Sequence, residues 1–299
     1  MKLNPNCKAC QLRRQEEKIR HFDDEGRKKQ YMKTILRRFD NPREGDCVPS
    51  ISAELKKFYS SFWGIPGKDF SRINQEYNQL MLDLEDDLLS AICSSRDPLK
   101  EALIYARTGN YIDFAALPDV SKEAALSLIK SENKDDLDEQ EYIHFCQDMK
   151  KANNIVYITD NCGEIVLDKL AIQMLKKTFP NIQITVIVRG LPAENDATME
   201  DARFCGLTDI VPVFGNGSDV CGTWLHGISA QARELIYNAD VILAKGQGNY
   251  ETLHGCELNI YYLFLCKCDW FQQLFQAKPL QGMFVNERRS PKATAFSSD

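Results

Sequence analysis

Three polar, glycine-punctuated segments each follow a short apolar run: TDNCGEI at 159–165, NDATMED at 195–201 and KGQGNYETL at 245–253. The runs before them, Ile155–Ile158, Ile184–Val188 and Val241–Leu243, have the character of buried strands. In an open parallel sheet the carboxyl ends of the strands form one edge, and ligands bind along it. That edge would hold Asp160, Asn161, Asp196, Lys245, Gly246 and Asn249. Oxygen-bearing side chains beside a lysine and tight glycine turns suit a divalent metal and a phosphate. Carboxylate, amide and water ligands would accept Mg2+ or Mn2+.

Each of these residues also has a plainer use. Asp160, Asn161 and Asp196, like Asn195 and Thr198, are good helix caps, because their side-chain oxygens accept from exposed amides. The KGQGN turn is neither a Walker A loop nor a dinucleotide fingerprint. Its glycines would let backbone amides approach a phosphate, and Lys245 would add a point charge. The loop GNGSDVCGT at 215–223 could bring Asp219 to the same edge. Eleven cysteines, an odd number, argue against a disulfide framework. Two pairs stand apart, Cys7 with Cys10 and Cys266 with Cys268, and together they could supply four ligands to a structural metal. The four histidines do not cluster, and no G-x-S-x-G elbow is present.

Residues 1–152 read as an all-helical domain. Segment 72–95 carries Tyr77, Leu80, Met81, Leu84, Leu88 and Ile92 as a helical stripe. Segment 53–63 and a last helix over 140–150 follow the same pattern, and Ser121 has the character of an N-cap. Residues 153–299 read as an α/β domain. Strands are expected at 154–158, 184–188, 209–213, 241–244 and 282–286, and helices at 164–178, 198–205, 229–238 and 250–265. This alternation implies crossovers and a Rossmann-like, mostly parallel sheet.

With 43% hydrophobic and 27% charged residues, the 299-residue chain has an ordinary globular composition. No apolar run is long enough to span a bilayer, and the N-terminus lacks a signal-peptide core, so a cytoplasmic location is expected without membrane partners. A net charge of −6 argues against nucleic acid as a partner.

The motifs together resemble the damage-control phosphatase family, once catalogued as a domain of unknown function and also named for a proposed acidic-residue methyltransferase. The resemblance rests on TDNCGEIVLDKL, VRGLPAENDATMEDA, GSDVCGT and ADVILAKGQGNYETL, with GNYIDFAAL at 109–117 in the helical half. The N-terminal CxxC and the closing YYLFLCKC look like its stand-alone microbial branch. The resemblance implies a metal-dependent phosphatase acting on small phosphorylated metabolites such as sugar phosphates, supported by Mn2+, Co2+ or Ni2+. By motif, Asp160, Asn161 and Asp196 would be the metal ligands. Lys245 would hold the phosphate, and Asn110 and Asp113 would reach in from the helical half. Cys162 stands where alanine is commoner. Water or Asp160 could be the nucleophile. The alternatives are an S-adenosylmethionine-dependent carboxyl methyltransferase and a non-catalytic metal- or nucleotide-binding module.

Overall fold

The computed structural model describes residues 3–109 and 137–291. Asn110 and Asp113, most of the 109–117 segment and the cap expected at Ser121 lie outside the described residues.

The first half is helical: α1 (Pro5–Ile19), α2 (Glu25–Asp40), α3 (Val48–Trp63), α4 (Ser71–Leu82), α5 (Glu85–Ser94), α6 (Pro98–Thr108) and α7 (Glu139–Met149). Side-chain caps start several of them. Asn4, Asp24, Asp97 and Asp138 each accept from an amide of the first turn. The stripe expected over 72–95 is one apolar face but two helices. The chain breaks at Asp83–Leu84, and three acidic residues, Glu85, Asp86 and Asp87, open the second helix where its dipole favours them. Met81, Leu84, Leu88 and Ile92 remain buried across the break.

The second half alternates. It runs β1 (Asn154–Ile158), α8 (Glu164–Thr178), β2 (Gln183–Val188), α9 (Met199–Phe204), β3 (Val213–Gly215), α10 (Ala230–Tyr237), β4 (Val241–Lys245), α11 (Gln247–Leu253), β5 (Ile260–Leu265), α12 (Asp269–Phe275) and β6 (Gly282–Asn286). The sheet order is β3-β2-β1-β4-β5-β6. The first five strands are parallel and β6 is antiparallel. The order reverses between β1 and β4, and the crevice at such a switch point is where ligands bind in sheets of this kind.

Two expectations need correction. The strand placed at 209–213 begins at Val213, because Leu207–Asp209 form a 3-10 turn that takes up the Ile210 and Val211 amides. The helix placed at 250–265 ends at Leu253, and the rest becomes β5. The Gly255 and Glu257 backbones, at φ 97° and 64°, turn the chain out of the helix. The apolar run IYYLFL is then buried on both faces as an interior strand.

The core does not divide at residue 152. Buried side chains of α4–α7 and α8 share one cluster with inward residues of the sheet, including Leu103, Ala106, Ile165, Leu167 and Tyr157. The other face of the sheet is covered by α10–α12. Helices α1–α3 form a smaller cluster of their own around Tyr31, Ile35, Phe39 and Ile51. No helix among the described residues is long and apolar enough to cross a membrane.

Candidate functional site

The end of β1 and the loop after β2 are tied together through the main chain. Asn161 and Asp196 form an isolated antiparallel bridge, the Cys162 amide donates to the Asn195 carbonyl at 2.8 Å, and the Ala197 amide donates to the Asp160 carbonyl at 2.8 Å. The structure thus brings Asp160, Asn161 and Asp196 together at the carboxyl edge. Asp160 and Asp196 are 8% and 4% exposed, and Asn161 is half-buried.

Asn161 is oriented by its amide nitrogen, which donates to Asp160 at 3.0 Å and to Glu164 at 3.2 Å. Its carbonyl oxygen is therefore the atom left for another partner. Gly246, at φ 80°, passes so close that a Cβ there would collide with the Asp160 carboxylate. Arg189, fully buried at the end of β2, pairs with Asp196 and stands 4.0 Å from Asp160. Burial pushes the Asp196 carboxyl up to about 7; Arg189 opposes this and the charge of Asp160 adds to it. Two crowded carboxylates and an oriented amide oxygen are a hard-oxygen donor set that fits a divalent cation, whose charge would relieve their repulsion.

Lys245 occupies a different environment from the one its motif suggests. Its ammonium is fully buried and donates to the Ala106 carbonyl at 2.6 Å, to Glu164 at 2.5 Å and to Asp168 at 2.8 Å. Three N–H donors meet three acceptors, so none is free for a phosphate in this arrangement. Burial disfavours its charge, but the two carboxylates outweigh that and hold the ammonium protonated. Burial likewise pushes Glu164 up to about 7, against the pull of Lys245, and raises Asp168. Tyr157 completes the cluster by donating to Asp168 at 2.6 Å.

Gly246 and Asn249, expected to face a phosphate, are engaged in holding the edge. The Gly246 amide donates to the Leu263 carbonyl at 3.0 Å. The Asn249 amide nitrogen bonds the Thr159 and Lys245 carbonyls, and its oxygen accepts from Thr223 at 2.8 Å. The start of α8 is similarly occupied, since the Gly163 amide donates to Asn78 at 2.7 Å.

The cysteines do not form a metal centre. Cys7, Cys10 and Cys268 line one cavity, but Cys266 is fully buried away from it. Among the described residues no group of three or more His, Cys, Asp or Glu side chains is placed to hold a metal. Burial pushes the Cys7 and Cys266 thiols up to about 12, which keeps them protonated.

Arg189, Glu164 and Asp168 escaped the sequence reading as site residues. Their signals were present: an arginine closing the apolar run QITVIV, and two acids four residues apart on the buried side of a helix.

A protein with this sheet and this carboxylate pair at its switch point is an α/β protein of the Rossmann-like type, with helices from both halves closing over the sheet edge. A family model described as the damage-control phosphatase ARMT1-like domain matches residues 3–280, and the chain belongs to that family. A damage-control phosphatase of Archaeoglobus fulgidus is 28% identical over 279 residues, covering 90% of this chain and 93% of the relative. One of Pyrococcus horikoshii is 35% identical over 170 residues, covering 56% and 58%. An uncharacterised protein of Methanocaldococcus jannaschii is 28% identical over 280 residues, covering 90% of each chain. The crystal structure of a DUF89 family protein from Pyrococcus horikoshii superposes with a TM-score of 0.77 at 25% identity, covering 96% of this chain and 99% of that one.

Proposed function

We propose that this chain is a cytoplasmic, metal-dependent phosphatase that hydrolyses phosphomonoesters of small metabolites, in the service of metabolite damage control. The observation that carries this reading is the pair Asp160 and Asp196, the first at the end of β1 beside the switch point and the second in the loop after β2, tied together through the main chain with Asn161 bridged to Asp196. A divalent cation such as Mn2+, Co2+, Ni2+ or Mg2+, held by these three side chains, would supply charge neutralisation for a phosphoryl group in transfer.

The remaining residues prepare that edge. Arg189 offsets the charge of two buried carboxylates that would otherwise repel. Asn161 holds the Asp160 carboxylate in place through its amide nitrogen. Glu164 orients Asn161 from behind, and Lys245 fixes Glu164. In this reading Lys245 acts first as a charge partner, and a direct contact with phosphate would require its ammonium to leave one of its three acceptors. Asn161, half-buried, is the most exposed of the three side chains.

Phosphate release is the test. Chelator-stripped protein is given each of the four cations with an aryl phosphate and a panel of sugar phosphates, with Asp160→Ala run in parallel. Cation-restored release that vanishes in Asp160→Ala is expected. Folded, cation-loaded protein that releases nothing, or a variant as active as the parent, would overturn the reading.

A further inference from the structure

One side chain of the helical half bonds both of the turns that carry Asp160, Asn161 and Asp196. Asn78 of α4 is fully buried. Its oxygen accepts from the Gly163 amide at 2.7 Å, and its nitrogen donates to the Asp201 carboxylate at 2.8 Å. A backbone amide only donates and a carboxylate only accepts, so the Asn78 amide fits one way round. Helix α4 is firmly backed there, because Met81 belongs to the same apolar cluster as Ile165 and Leu167 of α8.

Each partner of Asn78 stands close to a ligand in the chain. Gly163, at φ 76°, closes the turn of Asp160 and Asn161 and is the last residue before α8. Asp201 lies in the first turn of α9. Its other oxygen accepts from the Thr198 amide at 2.8 Å and the Thr198 hydroxyl at 2.7 Å, and Thr198 is bridged to Arg189. One helical turn before Asn78, on the same face, Asn74 donates to the Glu194 carbonyl at 3.3 Å, where the backbone stands at φ 54°. Helix α4 therefore holds the loop of Asp196 on both sides of that residue, and the turn of Asn161 as well. The main-chain bonds fix the two turns against each other, and Asn78 fixes both against the helical half.

We propose that Asn78 is a positioning residue for the cation site, and that it sets the spacing between Asn161 and Asp196 from the helical half. The inference rests on the cation site of the phosphatase reading and extends it to a helix that supplies none of the three ligands. Only a side chain that accepts and donates at once satisfies both neighbours. An aliphatic side chain in its place would leave the Gly163 amide and an Asp201 oxygen unpaired where water is excluded, and a displaced turn would be the relief.

The experiment is a calorimetric titration of the full chain with Mn2+. Asn78→Leu removes both bonds and should raise the dissociation constant about tenfold or more, as altering the groups behind a metal ligand does. Asn78→Asp sets carboxylate against carboxylate, and Asp201→Asn sets amide against amide, so each should weaken binding to a similar degree. The double variant Asn78→Asp/Asp201→Asn exchanges the two groups and lets every donor meet an acceptor again. Its affinity should return to within about threefold of the parent. A merely structural role would lower the melting temperature of the stripped variants and leave the affinity of the folded protein unchanged. That result, or single losses that the exchange does not rescue, overturns the proposal and leaves the cation site standing. Should Asn78→Leu fail to fold, the exchange decides. A parent that binds no Mn2+ overturns the cation site and this inference with it.

Discussion

Two ionic clusters lie on either side of the end of β1, and each combines two carboxylates with one cation. In the first, Asp160 and Asp196 share Arg189. In the second, Glu164 and Asp168 share Lys245. The difference is access. The first cluster has a half-buried amide beside it and opens to the sheet edge, whereas Lys245 and Asp168 are 0% exposed. The cations differ to match. A guanidinium can pair with one carboxylate and still stand beside another, leaving oxygen lone pairs facing outward. An ammonium with three donors is saturated by three acceptors and seals the space around it. The same charge arithmetic therefore gives a site that can accept a ligand and a bolt that cannot. Asn161 links them, since its amide nitrogen donates to one carboxylate of each cluster.

The sharpest way to break this contrast is to remove the bolt. Lys245→Met would leave Glu164 and Asp168 buried without their cation, and a loss of roughly 3–5 kcal/mol is expected. Denaturant titration measures it; a loss below about 1 kcal/mol would mean the cluster is not sealed.

A subtler change severs the link alone. Glu164→Gln retains the shape but replaces a carboxylate oxygen facing Asn161 or Lys245 with an amide. Cation affinity should fall about tenfold, as it does when the groups that orient a metal ligand are altered. Calorimetric titration with Mn2+ reads this directly, and unchanged affinity would separate the two clusters.

The smallest effect is in pH. Burial raises both Asp196 and Glu164 to about 7 in the folded chain. Carboxyls raised on folding stabilise fully below their unfolded pKa, near 4, and that contribution is lost as pH rises through about 7. Chelator-stripped protein should therefore lose melting temperature between about pH 4 and pH 7 from these groups. Added Mn2+ should offset the part due to Asp196 and leave the part due to Glu164. A cation-independent slope would place neither group at the ligand.

The sequence made the open cluster visible and hid the sealed one. Asp160, Asn161 and Asp196 each follow an apolar run, and the strand-end position alone predicts a shared edge. Strands β1 and β6 and helix α8 have the bounds the patterning gives. The partners of Lys245 are another matter. Glu164, Asp168 and Ala106 are 81, 77 and 139 residues away, and no local spacing connects them. Strand β5 was hidden for a different reason. A run buried on both faces has no alternation, so it reads equally well as the continuation of the helix before it. Only the backbone at Gly255 and Glu257 decides.

The main-chain bridge between Asn161 and Asp196 has one further consequence. Ligands joined by backbone hydrogen bonds stay assembled whether or not an ion is present, so the entropy of gathering them is spent during folding. Swapping one ion for another then requires no rearrangement of the chain. A cation entering such a centre would meet oxygens already at fixed spacing, so binding would be quick and the ion would be chosen by how well it fits that spacing.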